Sequence, residues 1–554
     1  MNPTIKSLRT VSGMSSVLGL AVLSTGAFAQ FTAGSIVVAR VGAGTTVLNN
    51  GGTPISLVQY SPTGTLGPIL NLPTAVNGAN RRLVVSGTAS SEGRLKLSAN
   101  GRLLVLVGYD TNVGQQGPAS ATASLVTTVN DGTPASVNRV VGLINWATGA
   151  IDTTTALTNA YSASNIRGAA TVDGTGVYTV GNGSNAGVRF VNLAVNPNDS
   201  VRVDSAPSSN IRTVNIYGGQ LFVSTGTTND PGAGVYSVGR GLPTASTATT
   251  PAPSFALTPT YATDLPSAPP TPPATAQSAS PYDFVFAGSN TLYIADDRSV
   301  TNRGGIQKFT RNADNTFSYR YTIVAPTPNT AGYSSVTGSV NPNGTITLYA
   351  TTAVSNNNSL VSVTDNIADI TTPTSTFTTL ASAGTNLAFR GVVVLNPVIS
   401  GKVLYPRPAV IDPTQNPLPS PTTIEVKGST GSLPVLNIIG DNQNYYLGGF
   451  VPGAYNLRAK DDRHLAQVKS ATTTGGSVSV DFNLLAGDFS PIGTGGDNAI
   501  DFGDLSTMLQ AYNALFGDAL YDTYVQADLN YDGGIDFGDL SLMLQNYNVF
   551  GDDF

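Results

Sequence analysis

Leu95–Asp110 reads LKLSANGRLLVLVGYD: a short apolar strand, an Asn-Gly turn and a second strand of Leu and Val. Asn-Gly between two apolar runs is a strong hairpin signal. The same strand–turn–strand returns as IRGAATVDGTGVYTVGN (166–182), IRTVNIYGGQLFVSTG (211–226), YDFVFAGSNTLYIADD (282–297) and YSSVTGSVNPNGTITLYATTA (333–353). Third strands follow: NRVVGLINW, VRFVNLA, GVYSVGR, GGIQKFTR and NSLVSVTD, usually with a weaker fourth. A repeated four-stranded antiparallel meander is the unit of a β-propeller. AFRGVVVL (388–395) reads as an opening strand without partners. SIVVARVG (35–42) and ISLVQYSPTG (55–64) read as second and third strands without an opening one. Joining them completes a last blade from both ends of 30–396, giving six blades, or seven if an irregular stretch hides another. A stacked array of β-sandwiches is the alternative. The Pro-rich DLPSAPPTPPATAQSASP (264–281) reads as a surface insertion between blades.

Composition points the same way. The chain of 554 residues has 60 Gly and 34 Pro, only 11% charged residues, and glutamate at two positions, Glu92 and Glu425. That is a turn-rich β composition, and no helix-period stripe of useful length runs between residues 30 and 484. The segments FTAGSIVVARVG, NRVVGL, NIRGAATVDGTGVYT, GGQLFVSTG, LYIADD, GGIQKF and LYATTA resemble a group of secreted bacterial β-propellers with varied C-terminal attachment modules. That resemblance implies fold and location, and no activity. Lys6 and Arg9, the apolar run Val17–Leu23 and Ala27-Phe28-Ala29 predict a signal peptide over 1–29. The mature chain is therefore expected to be secreted, extracellular or associated with the cell surface. The run is too short to cross a membrane, and no later one reaches the ~20 residues required. Without a single Cys, disulfides cannot brace it.

Residues 397–484 read as a smaller β-sandwich built from ISGKVLYP, TTIEVKG, YYLGGFVPGAYNLRAK and GGSVSVDFNLLAGD. The PGAYNL pattern resembles the carboxypeptidase-regulatory, transthyretin-like sandwich, which implies a spacer. The only histidine, His464, is expected at a strand edge rather than as a ligand.

The C-terminus contains a duplication. Ile500–Asn513 (IDFGDLSTMLQAYN) returns as Ile535–Asn548 (IDFGDLSLMLQNYN) with 12 of 14 positions identical. Before the second copy, Asp528, Asn530, Asp532, Gly534, Asp536 and Asp539 stand at positions 1, 3, 5, 7, 9 and 12 of a calcium-loop spacing. Gly533 gives the sharp turn at position 6, and Ile535 points inward toward its twin. The first loop is interrupted by about five residues, so its expected ligands are Asp488, Ser490, Asp497, Ala499 through its carbonyl, Asp501 and Asp504. Each loop leads into one helix with an apolar stripe: Leu505, Met508, Leu509, Tyr512, and Leu540, Met543, Leu544, Tyr547. These residues resemble a type I dockerin over 485–554, an EF-hand-like module of two loop–helix repeats. The resemblance implies two Ca2+ ions and a cohesin-like or cell-surface protein partner. Loop positions 10 and 11 are Phe502-Gly503 and Phe537-Gly538, not the hydroxyl-rich pairs of cellulosomal dockerins. The near-identical copies permit binding in either of two orientations.

Charge divides the chain at the same place. Residues 485–554 hold 12 Asp and no Lys, Arg, Glu or His; of 33 acidic residues that leaves 21 against 27 bases, or +6, for 1–484. A −12 segment repels itself unless cations enter it, so folding is expected to depend on calcium.

No catalytic residues are assigned. One His and no Cys exclude Ser-His-Asp and Cys-His sites and a typical zinc centre in the propeller. A glycoside hydrolase would need two carboxylates, to be sought among Glu92, Asp283, Asp296 and Asp297. Asp296-Asp297 reads as a polar cap. Aligning the opening strands places Arg94, Arg167, Arg212 and Arg390 at one mouth of the propeller, where they would hold a polysaccharide or other anionic ligand, or else pair with Glu92, Asp283 and backbone carbonyls. The sequence thus supports a non-catalytic binding protein, with a polysaccharide-degrading enzyme, or an accessory component of an extracellular polysaccharide-catabolic complex, as the alternative. No nucleic-acid partner is expected.

Overall fold

The computed structural model describes residues 31–554 except 123–135, 205–209, 227–232, 240, 246–278, 314–315, 326–330, 372–375, 408–420, 429–434 and 439–443. The expected signal peptide and nearly all of the Pro-rich 264–281 lie outside the described residues.

The chain is mainly β, in several sheets of which none closes into a barrel. Among the described residues the α-helices all follow residue 500: α1 Phe502–Gln510, α2 Ala519–Thr523 and α3 Phe537–Gln545. Antiparallel meanders succeed one another along the chain. Strands Ile166–Thr171, Gly176–Gly181, Arg189–Asn192 and Val201–Arg202 form one; Ile211–Tyr217, Gln220–Thr225 and Gly234–Ser237 the next, with three described strands. Pro281–Phe286 opens the third with Thr291–Asp296, Gly305–Arg311 and Phe317–Ile323; Tyr333–Val340 opens the fourth with Thr345–Thr352, Ser359–Asn366 and Thr378–Ser382. The hairpin at Gly218-Gly219 has φ of 56° and 74° at its two turn residues, the type I′ geometry that suits strand twist and disfavours side chains.

The ends of this region meet. Ala388–Val394 pairs antiparallel with Ile36–Val41, Ile36 opposite Val394 and Val41 opposite Ala388. Gly52–Tyr60 and Leu66–Asn71 continue outward. A short strand the sequence did not announce, Val84–Ser86, pairs with both Gly52–Tyr60 and Leu103–Tyr109, joining this meander to the one containing Lys96–Leu97, Leu103–Tyr109, Arg139–Asn145 and Ile151–Asp152 in a ten-stranded sheet. The six opening strands, at 96, 166, 211, 281, 333 and 388, each contact the next, and the last contacts the first. The inner strands of the meanders are buried on both faces between neighbouring sheets. Val214, Leu221 and Val223 pack with Tyr178 and Val180 of the preceding meander, and each such side chain contributes roughly 1.5–3 kcal/mol.

Residues 399–483 form two further sheets. Ile399–Leu404 lies between Asn444–Leu447 and the parallel Val478–Ser479 and Phe482–Asn483; Thr423–Gly428 lies between Val435–Ile438 and Ala454–Lys460, with Gln467–Thr472 outside. Their core of Ile399, Val403, Ile424, Val426, Tyr445, Leu457 and Phe482 is continuous with Val336, Val340 and Ile346 of the adjoining meander. Val340 N–H donates to Gly449 O and Val451 N–H to Val340 O. This unit thereby closes one end of the space among the opening strands, leaving a cavity of about 270 Å³ between Tyr217, Phe286, Gly338 and Val394 on one side and Asn444, Tyr446 and Gly449 on the other.

Candidate functional sites: an arginine cup and two acidic loops

At the opposite end of the opening strands, five of the six carry a bulge near their start. Pairing skips between Ile166 and Gly168, Ile211 and Thr213, Pro281 and Asp283, and Tyr333 and Ser335. In the last opening strand it skips opposite Val38–Arg40. A bulge leaves a residue out of the ladder and re-aims its side chain. The residues so released are Arg167, Arg212, Tyr282 and Ser334, with Arg390-Gly391 in the last strand; Arg94 sits just before the opening strand of its own meander. Arg167, Arg212 and Arg390 are therefore equivalent positions, and Arg94 joins them from just outside its strand. Tyr282 and Ser334, which the sequence reading passed over, complete the set; their shared offset within the repeat was the signal that would have found them.

The residues converge. The guanidinium groups of Arg94 and Arg212 lie 4.8 and 4.1 Å from the Tyr282 ring centre, cation–π distances. Arg94 donates to the carbonyls of Ser334, Arg390 (3.1 Å) and Ser90 (2.8 Å), tying together three meanders. Arg390 donates to Gly87 O at 2.8 Å and Arg167 to Asn210 Oδ1 at 2.6 Å. Arg212 stands 3.9 Å from Asp297. Among the described residues, Arg94, Arg167 and Arg390 have no carboxylate at ion-pair distance, and the Nε of all four arginines is buried without a partner. Burial, reinforced by Arg212, pushes Arg167 down to about 10; burial, reinforced by Arg94, does the same to Arg390.

The carboxylates expected to pair with these arginines are engaged elsewhere. Buried Glu92 accepts from Ser86 N–H, Tyr109 OH and Asn165 at 2.5–2.8 Å, and burial raises its pKa. Asp283 pairs with Lys96 and accepts from Ser335 OH at 2.7 Å. Asp296 binds its neighbour Arg298 at 2.8 Å, so the Asp296-Asp297 turn is tied to arginines on both residues. Backbone carbonyls are thus the main partners of the cup.

In the C-terminal module the repeat is structural as well as sequential. Asp501 and Asp536 cap α1 and α3, each accepting from the amide two residues on, and Asp504 and Asp539 reach back to the cap amides at 3.0 and 2.9 Å. These are capping boxes, with Asp in place of the usual Glu. Ile500, Ile535, Met508 and Met543 share one small core. The expected apolar stripes divide, however: the methionines turn in, while Leu509 and Leu544 turn out. Phe502 and Phe537 are 70% and 71% exposed, and Leu509 and Leu544 56% and 50%.

Loop two buries Asp528 and Asp539. Asp528 accepts from the amides of Asp532 and Gly533 and from Tyr521 OH; Asp539 accepts from the amides of Leu529, Asn530 and Asp536. Asp532, Asp536 and Asn530 lie at the loop's outer side, and Gly534 donates to Asp532. Burial, with the charge of Asp528 adding to it, pushes Asp539 up to about 7. As the side chains stand, no three such groups gather at metal-ligating distance among the described residues. The chemistry of loop two nevertheless fits a hard divalent cation: all donors are oxygens, and two like-charged buried carboxylates have no Lys or Arg within ion-pair distance among the described residues.

Loop one differs. Asp488 is buried and ion-paired with Lys460 at 2.9 Å. Ser490 turns its hydroxyl to Thr507 at 3.2 Å, and Asp504 accepts from the amides of Phe489 and Ser490. Asp497 caps the amide of Ala499. His464, at an isolated bridge to Ala486 beyond the end of strand Ala454–Lys460, is fully buried, with Nδ1 2.7 Å from Asp461.

No family model matches the chain, and no curated protein matches it. Among solved structures it is similar to a type II cohesin–X-dockerin complex from Acetivibrio cellulolyticus, at 21% identity over 29% of this chain and 100% of that one, with a TM-score of 0.24. It is also similar to a putative 6-phosphogluconolactonase from Bacteroides fragilis, at 14% identity over 75% of this chain and 98% of that one, with a TM-score of 0.33. Likenesses this slight carry no argument about function.

Proposed function

We propose that the chain is a secreted, non-catalytic binding protein in three parts after its signal peptide: a six-bladed propeller (30–396), a β-sandwich spacer (397–484) and a calcium-dependent, dockerin-like attachment module (485–554) that engages a cohesin-like or cell-surface protein. The circuit of opening strands supports the propeller. The observation that carries the attachment reading is the matched exposure of Phe502 with Leu509 and Phe537 with Leu544. Paired apolar faces on a module of twelve aspartates are costly to leave in water, and their usual meaning is a docking surface. Calcium held by Asp528, Asn530, Asp532, Gly534, Asp536 and Asp539 would fix the loop from which α3 starts. The arginine cup is the proposed seat of an anionic ligand, a carboxylate- or sulfate-bearing glycan, since three buried guanidiniums lack a carboxylate. The test is retention of the protein from the source organism's secretome and cell envelope, with calcium and with chelator. Calcium-dependent retention that disappears in the Asp528→Ala/Asp539→Ala double variant supports the reading; retention unchanged by chelator defeats it.

A further inference from the structure

We infer that the ammonium of Lys460 takes the cation's role in the first acidic loop, so that the module binds one calcium ion per chain, in loop two. This rests on the calcium reading of loop two proposed above. Lys460 ends strand Ala454–Lys460 of the preceding unit, outside the acidic module. Its Nζ lies 2.9 Å from Asp488 Oδ2 and donates to the carbonyls of Gly495 (2.7 Å), His464 (2.7 Å) and Asp461 (2.8 Å). Four oxygens around one ammonium, two of them from loop one, more than satisfy its three N–H donors.

With the ammonium in place, the rest of the loop is turned away from an ion. Both oxygens of Asp488 face the amide of Asn498 at 3.1–3.2 Å. The Ser490 hydroxyl is turned to α1, and the inserted residues deliver Gly495 O to Lys460 instead of a ligand to the loop. A second cation beside a half-buried ammonium would meet direct repulsion. With Lys460 seated there the donor set of loop one does not fit calcium, although Asp497, Asp501 and Asp504 stand where loop two has Asp532, Asp536 and Asp539. Arg463, three residues on, makes the contrast clear. It reaches loop two but donates to the carbonyl of Asp528 and stacks 4.0 Å over Tyr531, leaving the Asp528 carboxylate without an ion pair. The segment Lys460–His464 thus docks the module through both loops and neutralises only the first.

The experiment is a calcium titration of the full chain against a chromophoric chelator at pH 8, with melting followed in parallel. The wild type is expected to bind one ion, Asp539→Asn none, and Asp488→Asn one. Lys460→Met should gain a second ion and melt lower than wild type in chelator, with the deficit narrowed by calcium. Two ions in the wild type overturn the inference and leave loop two's calcium intact. So does loss of the ion in Asp488→Asn with retention in Asp539→Asn, or a folded Lys460→Met that still binds one. No ion at all in the wild type instead removes the calcium reading on which the inference stands. The wild-type stoichiometry decides the matter even if Lys460→Met does not fold.

Discussion

Asp539 and Asp488 are carboxylates made hard to ionise, and that has a measurable sign. Burial raises them to about 7 and about 6, against ordinary values near 4. Between those limits the folded, calcium-free protein holds more protons than the unfolded chain. The stability these groups give is complete below about pH 4 and is lost as pH rises through 6 and 7. In chelator, the C-terminal melting transition should therefore fall between pH 4.5 and 8, and Asp539→Asn should flatten that slope. Calcium binds the deprotonated carboxylate, so its affinity should rise over the same range. At the other site, Arg94 holds carbonyls of three meanders. Arg94→Met leaves them buried without donors, at about 1–3 kcal/mol each, and denaturant unfolding should show a loss of about 3 kcal/mol. Arg212→Met removes a stacked, partly exposed group and should leave stability nearly unchanged while abolishing any melting shift produced by a sulfated or uronic-acid oligosaccharide.

At the level of elements, helices α1 and α3 present the same Phe and Leu outward from near-identical sequences. Substituting Phe502 or Phe537 alone by Ser should weaken retention by the partner no more than a few-fold, because the other copy still offers its face; the double substitution should abolish it, with the helical circular dichroism of both unchanged. The two helices were legible because the duplication compares each position with its twin; their caps were not, since Asp501 and Asp536 also stand at loop positions and read there as ligands. Nor was the outward turn of Leu509 and Leu544: a stripe at i, i+3, i+4 shows which residues share a face, not whether a neighbour covers it. The opening strands and the meeting of 388–395 with 35–42 could likewise be read from two-residue turns and unpaired apolar runs. The bulges could not. The repeat offset places Arg167, Arg212 and Tyr282 at one end, but does not show that the pairing skips them and so frees their side chains from the ladder. Lys460 was hidden for another reason, since its partner Asp488 lies 28 positions away in a different unit.

Over the whole molecule, the strand contributed last sets the stability of the strand contributed first. Ile36–Val41 has Gly52–Tyr60 on one side and Ala388–Val394 on the other, with Val38 against Val392 and Arg40 against Phe389. Every residue of Ala388–Val394 is buried, and Phe389, Val392 and Val394 pack with Ile36, Val38 and Tyr60. Ending the chain at residue 380 would cut the outer strand Thr378–Ser382 short and remove Ala388–Val394 and everything beyond it. Ile36–Val41 would then expose an apolar edge of unpaired amides and carbonyls, the kind of edge that recruits another chain. The loss also breaks the circuit of opening strands at two contacts, with Lys96–Leu97 on one side and Tyr333–Val340 on the other. A chain ending at residue 396 keeps both strands while lacking the same downstream units, so it separates the effect of these strands from the loss of the C-terminal parts. The expected result is that the 30–380 fragment forms soluble oligomers or aggregates in sedimentation and melts well below the 30–396 fragment. Two monomers with equal melting temperatures would mean that the ring does not depend on being closed.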